Sequence, residues 1–450
     1  MTLRPSASRF EDPGIAPLFE QDSRWQSWLD VEAALAQAQA ELGMIPADAA
    51  NTISQKADLA NLDREAIAEG LVRTAHPLVP LVWELARVCG EHAGGYVHWG
   101  ATTQNILETG DSLLLRNAHH RLLSQFKELF TALAELAERS AEMAMAGRTH
   151  GQHAVPITFG YKVAVWIDEL ARHVERLRAL ESRCFIALLG GAAGTFASLG
   201  SQGFELQANF ARRLGLEPTD VPSRTHRDRE AEYVVTLGLF AGTAGKIGHE
   251  MYALMRQEYA EAGEPVPPGT VGSSTMPQKR NPILAQDITA DAAALRALVP
   301  LALESMMTEH EANRATTVMM RTALGPACVY AGDILGRLIT IAKGMWLDPK
   351  RMRENLDLTG GMILSEAIML ELGQTMGRQE AHDLVYEAVE RVLHEGVDFV
   401  SALSEDSRIQ AHLNDEGVKA LLDPSAYTGL CAVMANQQAS KARELAESLT

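Results

Sequence analysis

An apolar heptad repeat is the feature that most limits how this chain can fold. Between residues 115 and 143, an apolar side chain recurs at every seventh position: Leu115, Leu122, Leu129, Leu136 and Met143. Phe126 and Leu133 occupy the alternate positions of the same seam. A repeat of this kind is typical of a long helix that packs along its length against other helices.

Alanine-rich apolar patterns of helical length follow at 161–185, 229–261, 284–308 and 326–345. Alternating runs of apolar and polar residues between turn residues are nearly absent, so the pattern predicts an all-α protein with a long central helical bundle. Glycines at 94–100 and at 360–361 interrupt the helical patterns. We therefore predict three helical parts: an N-terminal domain at 1–108, a central bundle at 109–355 and a C-terminal domain at 356–450.

A long apolar seam of Leu and Met needs to be buried, and helices of neighbouring subunits often bury such a seam. On that ground the sequence predicts an oligomer. The formal net charge of −18 argues against nucleic-acid and anionic-membrane partners but leaves room for a basic pocket that binds a small acidic substrate.

The start of the chain lacks the apolar core of a signal peptide, and no apolar run is long enough to cross a membrane, so a cytoplasmic protein is expected. The four cysteines are far apart and have no metal-ligand spacing, which is typical of free thiols in a reducing compartment.

Three polar clusters interrupt the helical patterns, at 98–105, 147–153 and 272–282. The threonines of the first cluster have two readings, because Thr102 and Thr103 precede a long helix and such residues also serve as N-caps. His150 and His153 lie where one long helix stops and another starts, where a structural role is also common. His76, beside Pro77, has the same two readings.

The third cluster closes a run rich in Gly and Pro that begins at Ala262. A loop of this length in a compact domain is usually functional or disordered, and its ordered spacing of polar groups favours function. Glycine lets backbone N–H groups approach a ligand, while Lys279 and Asn281 are suited to hold a carboxylate. Together the three clusters indicate a site for a polycarboxylate that undergoes proton transfer.

The loop resembles the signature of the fumarase/aspartase superfamily, Gly-Ser-Ser-x-Met-Pro-x-Lys-x-Asn, at every fixed position from Gly272 to Asn281. Within it, the segments 19–36, 226–229 and 355–359 are most similar to the 3-carboxy-cis,cis-muconate lactonising branch, and adenylosuccinate lyase is the next relative. The resemblance implies an all-α homotetramer whose active sites each draw on three subunits. It implies no metal and no organic cofactor.

The resemblance also assigns roles to residues. Ser273 matches the base that moves the proton on carbon, and His150 matches the general acid of the C–N lyases. Residues expected to bind the substrate are His76, Thr102, Thr103, Thr149, Gln152, Ser274, Lys279 and Asn281. Lactonising relatives can carry Trp at the position of His150, so the histidine favours elimination of an amine.

Two observations oppose a nucleotide substrate or a complete C–N lyase site. Met320 stands where adenylosuccinate lyases have an acid that orients the histidine, with Glu309 and Glu311 as possible substitutes. Arg9 matches an arginine near the start of adenylosuccinate lyase, but Asp12, three positions further on, replaces the residue expected near it. The leading hypothesis is a cofactor-free C–N lyase that releases fumarate from an N-substituted aspartate resembling iminodisuccinate. The alternatives are a 3-carboxy-cis,cis-muconate cycloisomerase and a catalytically silent helical scaffold.

Overall fold

The computed structural model describes residues 5–449, which form eighteen α-helices, six short 3-10 helices and four short strands. The α-helices are α1 (Ile15–Leu18), α2 (Gln21–Glu41), α3 (Ala47–Lys56), α4 (Arg64–Thr74), α5 (Val79–Gly94), α6 (Thr103–Arg139), α7 (Phe159–Cys184), α8 (Gly203–Leu214), α9 (Asp228–Leu254), α10 (Ile283–Glu304), α11 (Arg314–Gly344), α12 (Pro349–Leu356), α13 (Ser365–Met376), α14 (Arg378–Glu395), α15 (Phe399–Ser404), α16 (Ser407–Gln410), α17 (Asp415–Leu421) and α18 (Cys431–Ser448). The strands are β1 (Ala144–Thr149), β2 (Gln152–Thr158), β3 (Ala262–Gly263) and β4 (Trp346–Leu347), and the 3-10 helices are Pro5–Arg9, Leu59–Asn61, Gly200–Gln202, Asp357–Thr359, Met362–Leu364 and Pro424–Ala426.

The predicted all-α class and central bundle are confirmed. The long helices α6, α7, α9, α10 and α11 pack against one another, and α6 carries the heptad. The four heptad leucines of α6 are at most 1% exposed within the single chain. The seam is therefore buried by the chain's own helices, and the argument that it needs a neighbouring subunit is wrong. Met143 lies beyond the end of α6, in the turn before β1.

Helix α11 begins twelve residues before the apolar pattern that predicted it. Asn313 caps its first turn, because its side-chain oxygen accepts the backbone N–H of Ala315 at 2.8 Å. Pro326 lies inside the helix rather than at its start. A proline removes one backbone hydrogen bond, but buried residues on both sides of Pro326 keep the helix continuous.

A β-hairpin was missing from the sequence-based interpretation. Strands β1 and β2 pair antiparallel, with Thr149 opposite Gln152, and the register shifts between Ala146 and Arg148. The tip is a two-residue turn in which His150 has φ 53° and Gly151 has φ 76°. Positive φ at both positions is the geometry of a type I′ hairpin turn.

The outer parts of the chain differ in how they join the bundle. Residues of the N-terminal helices, such as Leu35 and Leu81, share one hydrophobic core with the central helices, whereas a second core lies within residues 368–418. The last helix, α18, returns to pack on α6 and α7. The three-part division at residues 108 and 355 stays a prediction.

Among the described helices, α11 is long and apolar enough to cross a membrane by length and composition, contrary to the sequence-based expectation. However, 72% of its most apolar window is buried inside the chain, as expected of a core helix. The four cysteines, Cys89, Cys184, Cys328 and Cys431, are free and buried, and burial raises the pKa of Cys184 and of Cys328 to about 12.

Candidate active site

The first polar cluster lies at the N-terminus of α6. The backbone N–H of Thr102 donates to the side chain of Asn105 at 3.1 Å, so Thr102 has the N-cap position that was one of its two readings. Thr102 and Thr103 nevertheless line a cavity of about 630 Å³ together with His76. At this helix end, Thr102 therefore both caps the helix and lines a cavity.

His76 is held in one tautomer. Its Nδ1 accepts the backbone N–H groups of Leu78 at 3.3 Å and Val79 at 3.1 Å. The proton therefore lies on Nε2, which donates to the hydroxyl of Thr103 at 3.3 Å. The structure thus brings two of the sequence-predicted residues into direct contact, and their positions are fixed before any ligand is bound.

A buried ion pair supports this helix end. Arg227 is 4% exposed and contacts the carboxylate of Glu108, which is 8% exposed. Gln104 donates its side-chain nitrogen to the same carboxylate and to the carbonyl of Arg224 at 2.9 Å. Burial raises the pKa of Glu108 to about 7, although the positive charge of Arg227 opposes the rise. These contacts anchor the turn that carries Thr102 and Thr103.

The second polar cluster lies at the exposed tip of the β1–β2 hairpin. Thr149, His150 and Gln152 are all exposed in the single chain. A histidine with positive φ is uncommon, because a side chain with a Cβ is strained there by roughly 1 kcal/mol or more. The hairpin therefore presents the imidazole outward, where another surface can meet it.

The base of the hairpin is held firmly. Arg148 pairs with the carboxylate of Glu261 at 2.7 Å, and its guanidinium stacks over the ring of Tyr259. Asn355 donates to the same carboxylate at 2.8 Å. Burial lowers the pKa of His153, and the positive charge of Arg148 lowers it further, so this histidine favours its neutral form. The tip is exposed, but its support is rigid.

The third polar cluster places Ser273 in a cradle of backbone donors. The hydroxyl oxygen of Ser273 accepts the backbone N–H of Met276 at 3.0 Å and that of Thr275 at 3.3 Å. Such donors favour a negatively charged oxygen over a neutral one. The local backbone thus supplies the support that a serine needs to act as a base.

The shape of the loop depends on Gly272. A Cβ at this position would lie 2.2 Å from the carbonyl oxygen of Lys279, so only glycine allows the two ends of the turn to meet. Asn281 donates to the carbonyl of Gly272 at 2.8 Å and closes the same turn. The side chains of Ser274 and Lys279 are exposed. Lys279 and Asn281 line a cavity of about 740 Å³.

The loop is anchored below the signature residues. Glu264 is buried, accepts the backbone N–H of Leu284 at 2.9 Å, and pairs with Arg9 at 3.2 Å. Arg9 also donates to the carbonyl of Pro265. Arg9 therefore helps to hold the loop in place, which is a structural role that the sequence did not indicate.

The single chain does not bring the three clusters into one cavity. The first cluster and the loop line separate cavities, and the hairpin tip lines neither of them. Met320, at the position where an orienting acid was sought, is buried, while Glu309 and Glu311 are exposed in the turn before α11. In residues 5–449 no group of three His, Cys, Asp or Glu side chains is placed to hold a metal ion.

Several supporting residues escaped the sequence-based assignment. Gln104 and Arg227 lie in the segments 98–105 and 226–229 but received no role, and Glu108, Arg224 and Glu261 were not singled out. Arg227 and Glu108 are 119 positions apart in the chain. A single sequence carries no local signal for such a pair.

Comparison with known proteins identifies relatives across most of the chain. A family profile described as lyase matches residues 11–295, and one described as the adenylosuccinate lyase C-terminus matches residues 361–437. The N-acetyl-S-(2-succino)cysteine lyase of Dickeya dadantii is 39% identical over 422 residues, covering 94% of this chain and 93% of that protein. The adenylosuccinate lyase of Methanothermobacter thermautotrophicus is 37% identical over 432 residues, covering 95% and 96%.

The fold matches a solved structure equally well. The crystal structure of the 3-carboxy-cis,cis-muconate lactonizing enzyme from Pseudomonas putida aligns with a TM-score of 0.90 and 34% identity, covering 98% of this chain and 100% of that chain. The similarity that the sequence motifs indicated therefore extends over the whole architecture.

Replacing Gly272 with alanine tests the loop geometry. Because the added Cβ would meet the Lys279 carbonyl, Gly272→Ala should displace Ser273 and lower kcat/KM roughly 100-fold. The thermal midpoint should change little, since the loop is exposed. Thr270→Ala, in the same loop, is the control and should keep its activity. Full activity in Gly272→Ala would contradict the proposed importance of this turn.

Glu108 should make stability depend on pH. The folded protein holds the Glu108 proton up to about pH 7, whereas the ordinary pKa is 4.5, so the folded state binds more protons between these values. Stability should therefore fall as pH rises through this window, by up to roughly 3 kcal/mol. Urea unfolding at fixed protein concentration should show a shallower pH dependence for Glu108→Gln. Equal slopes for both proteins would contradict this assignment.

Proposed function

The chain belongs to the fumarase/aspartase superfamily of lyases, and from that premise we propose that it eliminates an amine from an N-substituted aspartate to give fumarate. The observation that carries the proposal is the Ser273 hydroxyl, which accepts two backbone N–H groups. A serine stabilised in this way is suited to remove a proton from carbon. Lys279, exposed in the same loop, is suited to neutralise the carboxylate that takes up the negative charge.

In the proposed elimination, the alkoxide of Ser273 takes the proton from the carbon next to one carboxylate. The electron pair of that C–H bond moves into this carboxylate and then forms the new double bond. The C–N bond on the adjacent carbon breaks, and its electron pair stays on nitrogen. His150 gives a proton to this nitrogen, so the products are fumarate and a free amine. Thr102, Thr103, Thr149, Gln152, Ser274 and Asn281 are proposed to bind the substrate, and His76 to orient Thr103.

A shared active site is part of this proposal. The three clusters lie apart in one chain, and the hairpin tip exposes His150 on a rigid support. Large apolar side chains are also exposed on the bundle helices, among them Leu239 on α9 and Leu303 on α10. We propose that subunits pack on these surfaces as a homotetramer and that each site takes its three clusters from three subunits.

A second candidate is elimination of a thiol from a succinate thioether. It is favoured by the 39% identity to a protein named for N-acetyl-S-(2-succino)cysteine, whose name describes such a thioether. The absence of an acidic side chain at Met320 fits it as well, because a thiol with a pKa near 8.5 leaves more easily than an amine does. The carbon base and the product fumarate are the same in both reactions.

A product screen tests the function directly. We expect the purified protein to release fumarate from N-substituted aspartates, or from the matching succinate thioethers, as measured by NMR. Ser273→Ala should lower kcat/KM by roughly 10²–10⁴-fold, because it removes the proposed base. Ser440→Ala, on the distant helix α18, is the control. Lactone formation from 3-carboxy-cis,cis-muconate without any fumarate would overturn the proposal in favour of a cycloisomerase.

The role of His150 depends on the leaving group. Amines are poor leaving groups without a proton, so His150→Gln should slow amine elimination by roughly 100-fold or more. The same variant should slow thiol elimination far less, because a thiolate leaves unprotonated. His412→Gln, an exposed histidine of the C-terminal part, is the matched control. Equal effects on both substrate series would remove His150 from the role of general acid.

A further inference from the structure

The cavity beside Thr102 and Thr103 has a cationic wall that the proposed elimination does not use. Arg224, from the segment before α9, and Arg314, the first residue of α11, line the same cavity as the threonines. The chain as a whole carries a net charge of −18, whereas three arginines, Arg224, Arg314 and Arg321, and one acid, Glu108, line this cavity of about 630 Å³. Arg321 is paired with Asp111 at 3.0 Å. Such a wall attracts an anionic group.

Arg224 is fixed in position but not neutralised. Its Nε donates to the side-chain oxygen of Gln104 at 2.7 Å, and one terminal nitrogen donates to the carbonyl of Ala192. Both of these partners are uncharged. Burial, and then the neighbouring Arg227, lower the pKa of Arg224, while Glu108 opposes them. The carboxylate of Glu108 already contacts two other side chains, those of Gln104 and Arg227.

Arg314 has no structural task in the part of the chain that the structure describes. Its side chain is exposed and forms no hydrogen bond or ion pair with residues 5–449. A cation in the first turn of a helix is also unfavourable, because the positive end of the helix dipole lies there. An arginine at this position does not stabilise the fold, but it would stabilise an anion bound in the cavity.

We propose that Arg224 and Arg314 bind a carboxylate on the half of the substrate that leaves. This inference rests on the proposed function, since Thr102 and Thr103 would hold the succinate half in the same cavity. A guanidinium matches a carboxylate in geometry and charge, and two guanidinium groups can share its two oxygens. The substrate class is then a succinate joined through nitrogen or sulfur to an amino acid or another small acid.

Matched ligands test this subsite by equilibrium binding. N-(carboxymethyl)aspartate and N-(carbamoylmethyl)aspartate have nearly the same shape and differ in one negative charge. Calorimetry on the full-length Ser273→Ala protein, which should not turn them over, is expected to show at least about 10-fold tighter binding of the acid. The corresponding sulfur pair, 2-(carboxymethylthio)succinate and its amide, is measured in parallel. The identity of the leaving atom then does not affect the test.

Arginine variants connect the preference to the cavity. Arg314→Gln and Arg224→Gln, each added to Ser273→Ala, should bring the acid-to-amide ratio close to one. Arg378→Gln is the matched control, because Arg378 is also an exposed arginine at the first position of a helix, α14, and does not line this cavity. The ratio should stay unchanged in the control.

The outcomes separate this subsite from the proposed function. Equal binding of acid and amide in both series, or no binding of either, would overturn the subsite. Tighter binding of N-(phosphonomethyl)aspartate than of the carboxymethyl compound would replace the carboxylate with a phosphoryl group. If the acid preference holds and depends on Arg314, but the unmutated protein releases no fumarate, the subsite stands and the elimination is wrong.

Discussion

The burial of α6 is the constraint on which the rest of the structure depends. This helix of 37 residues packs against α2, α7, α11 and α18, and its heptad leucines are almost completely shielded from solvent. Burying one leucine side chain stabilises a fold by roughly 2 kcal/mol, so the whole seam leaves little freedom for the helix to slide. The N-terminal end of the same helix carries Thr102 and Thr103. The position of the candidate site is therefore set by hydrophobic packing many turns away.

Charged residues divide into those that hold the site and those that are free to meet a ligand. Arg9, Arg148 and Arg227 are each mostly buried and paired with a carboxylate, which belongs to Glu264, Glu261 and Glu108 respectively. Losing one partner of such a pair leaves a buried charge uncompensated, which typically costs about 3–5 kcal/mol. In contrast, Lys279 and Arg314 are exposed in the single chain. Paired cations thus maintain geometry, and exposed ones remain available to bind carboxylates.

Most helices could be predicted from the sequence, because apolar periodicity directly reports a buried helical face. The start of α11 could not be predicted, because the apolar pattern begins only at Pro326. The helix continues through this proline to an earlier start. The hairpin was missed because its strands are short and include Gly147 and Pro156, which weaken any strand pattern. Motifs located Ser273 and His150, but the backbone cradle around one and the positive φ of the other appear only in three dimensions. The pairing of Arg148 with Glu261 spans 113 positions and has no local sequence signal.

The division of labour within the site explains why a shared loop does not specify a substrate. Ser273 is supported by backbone N–H groups, which any sequence with the same turn can supply, so the proposed removal of a proton from carbon does not depend on which group leaves. In the proposed reaction the leaving half meets other residues: His150 at the hairpin tip, and Arg224 and Arg314 in the cavity wall. These residues come from separate segments and can vary without disturbing Gly272 or the turn around it. The proposed subsite therefore places selectivity for the leaving half in the cavity wall, where a single change of charge is expected to alter which acid is bound.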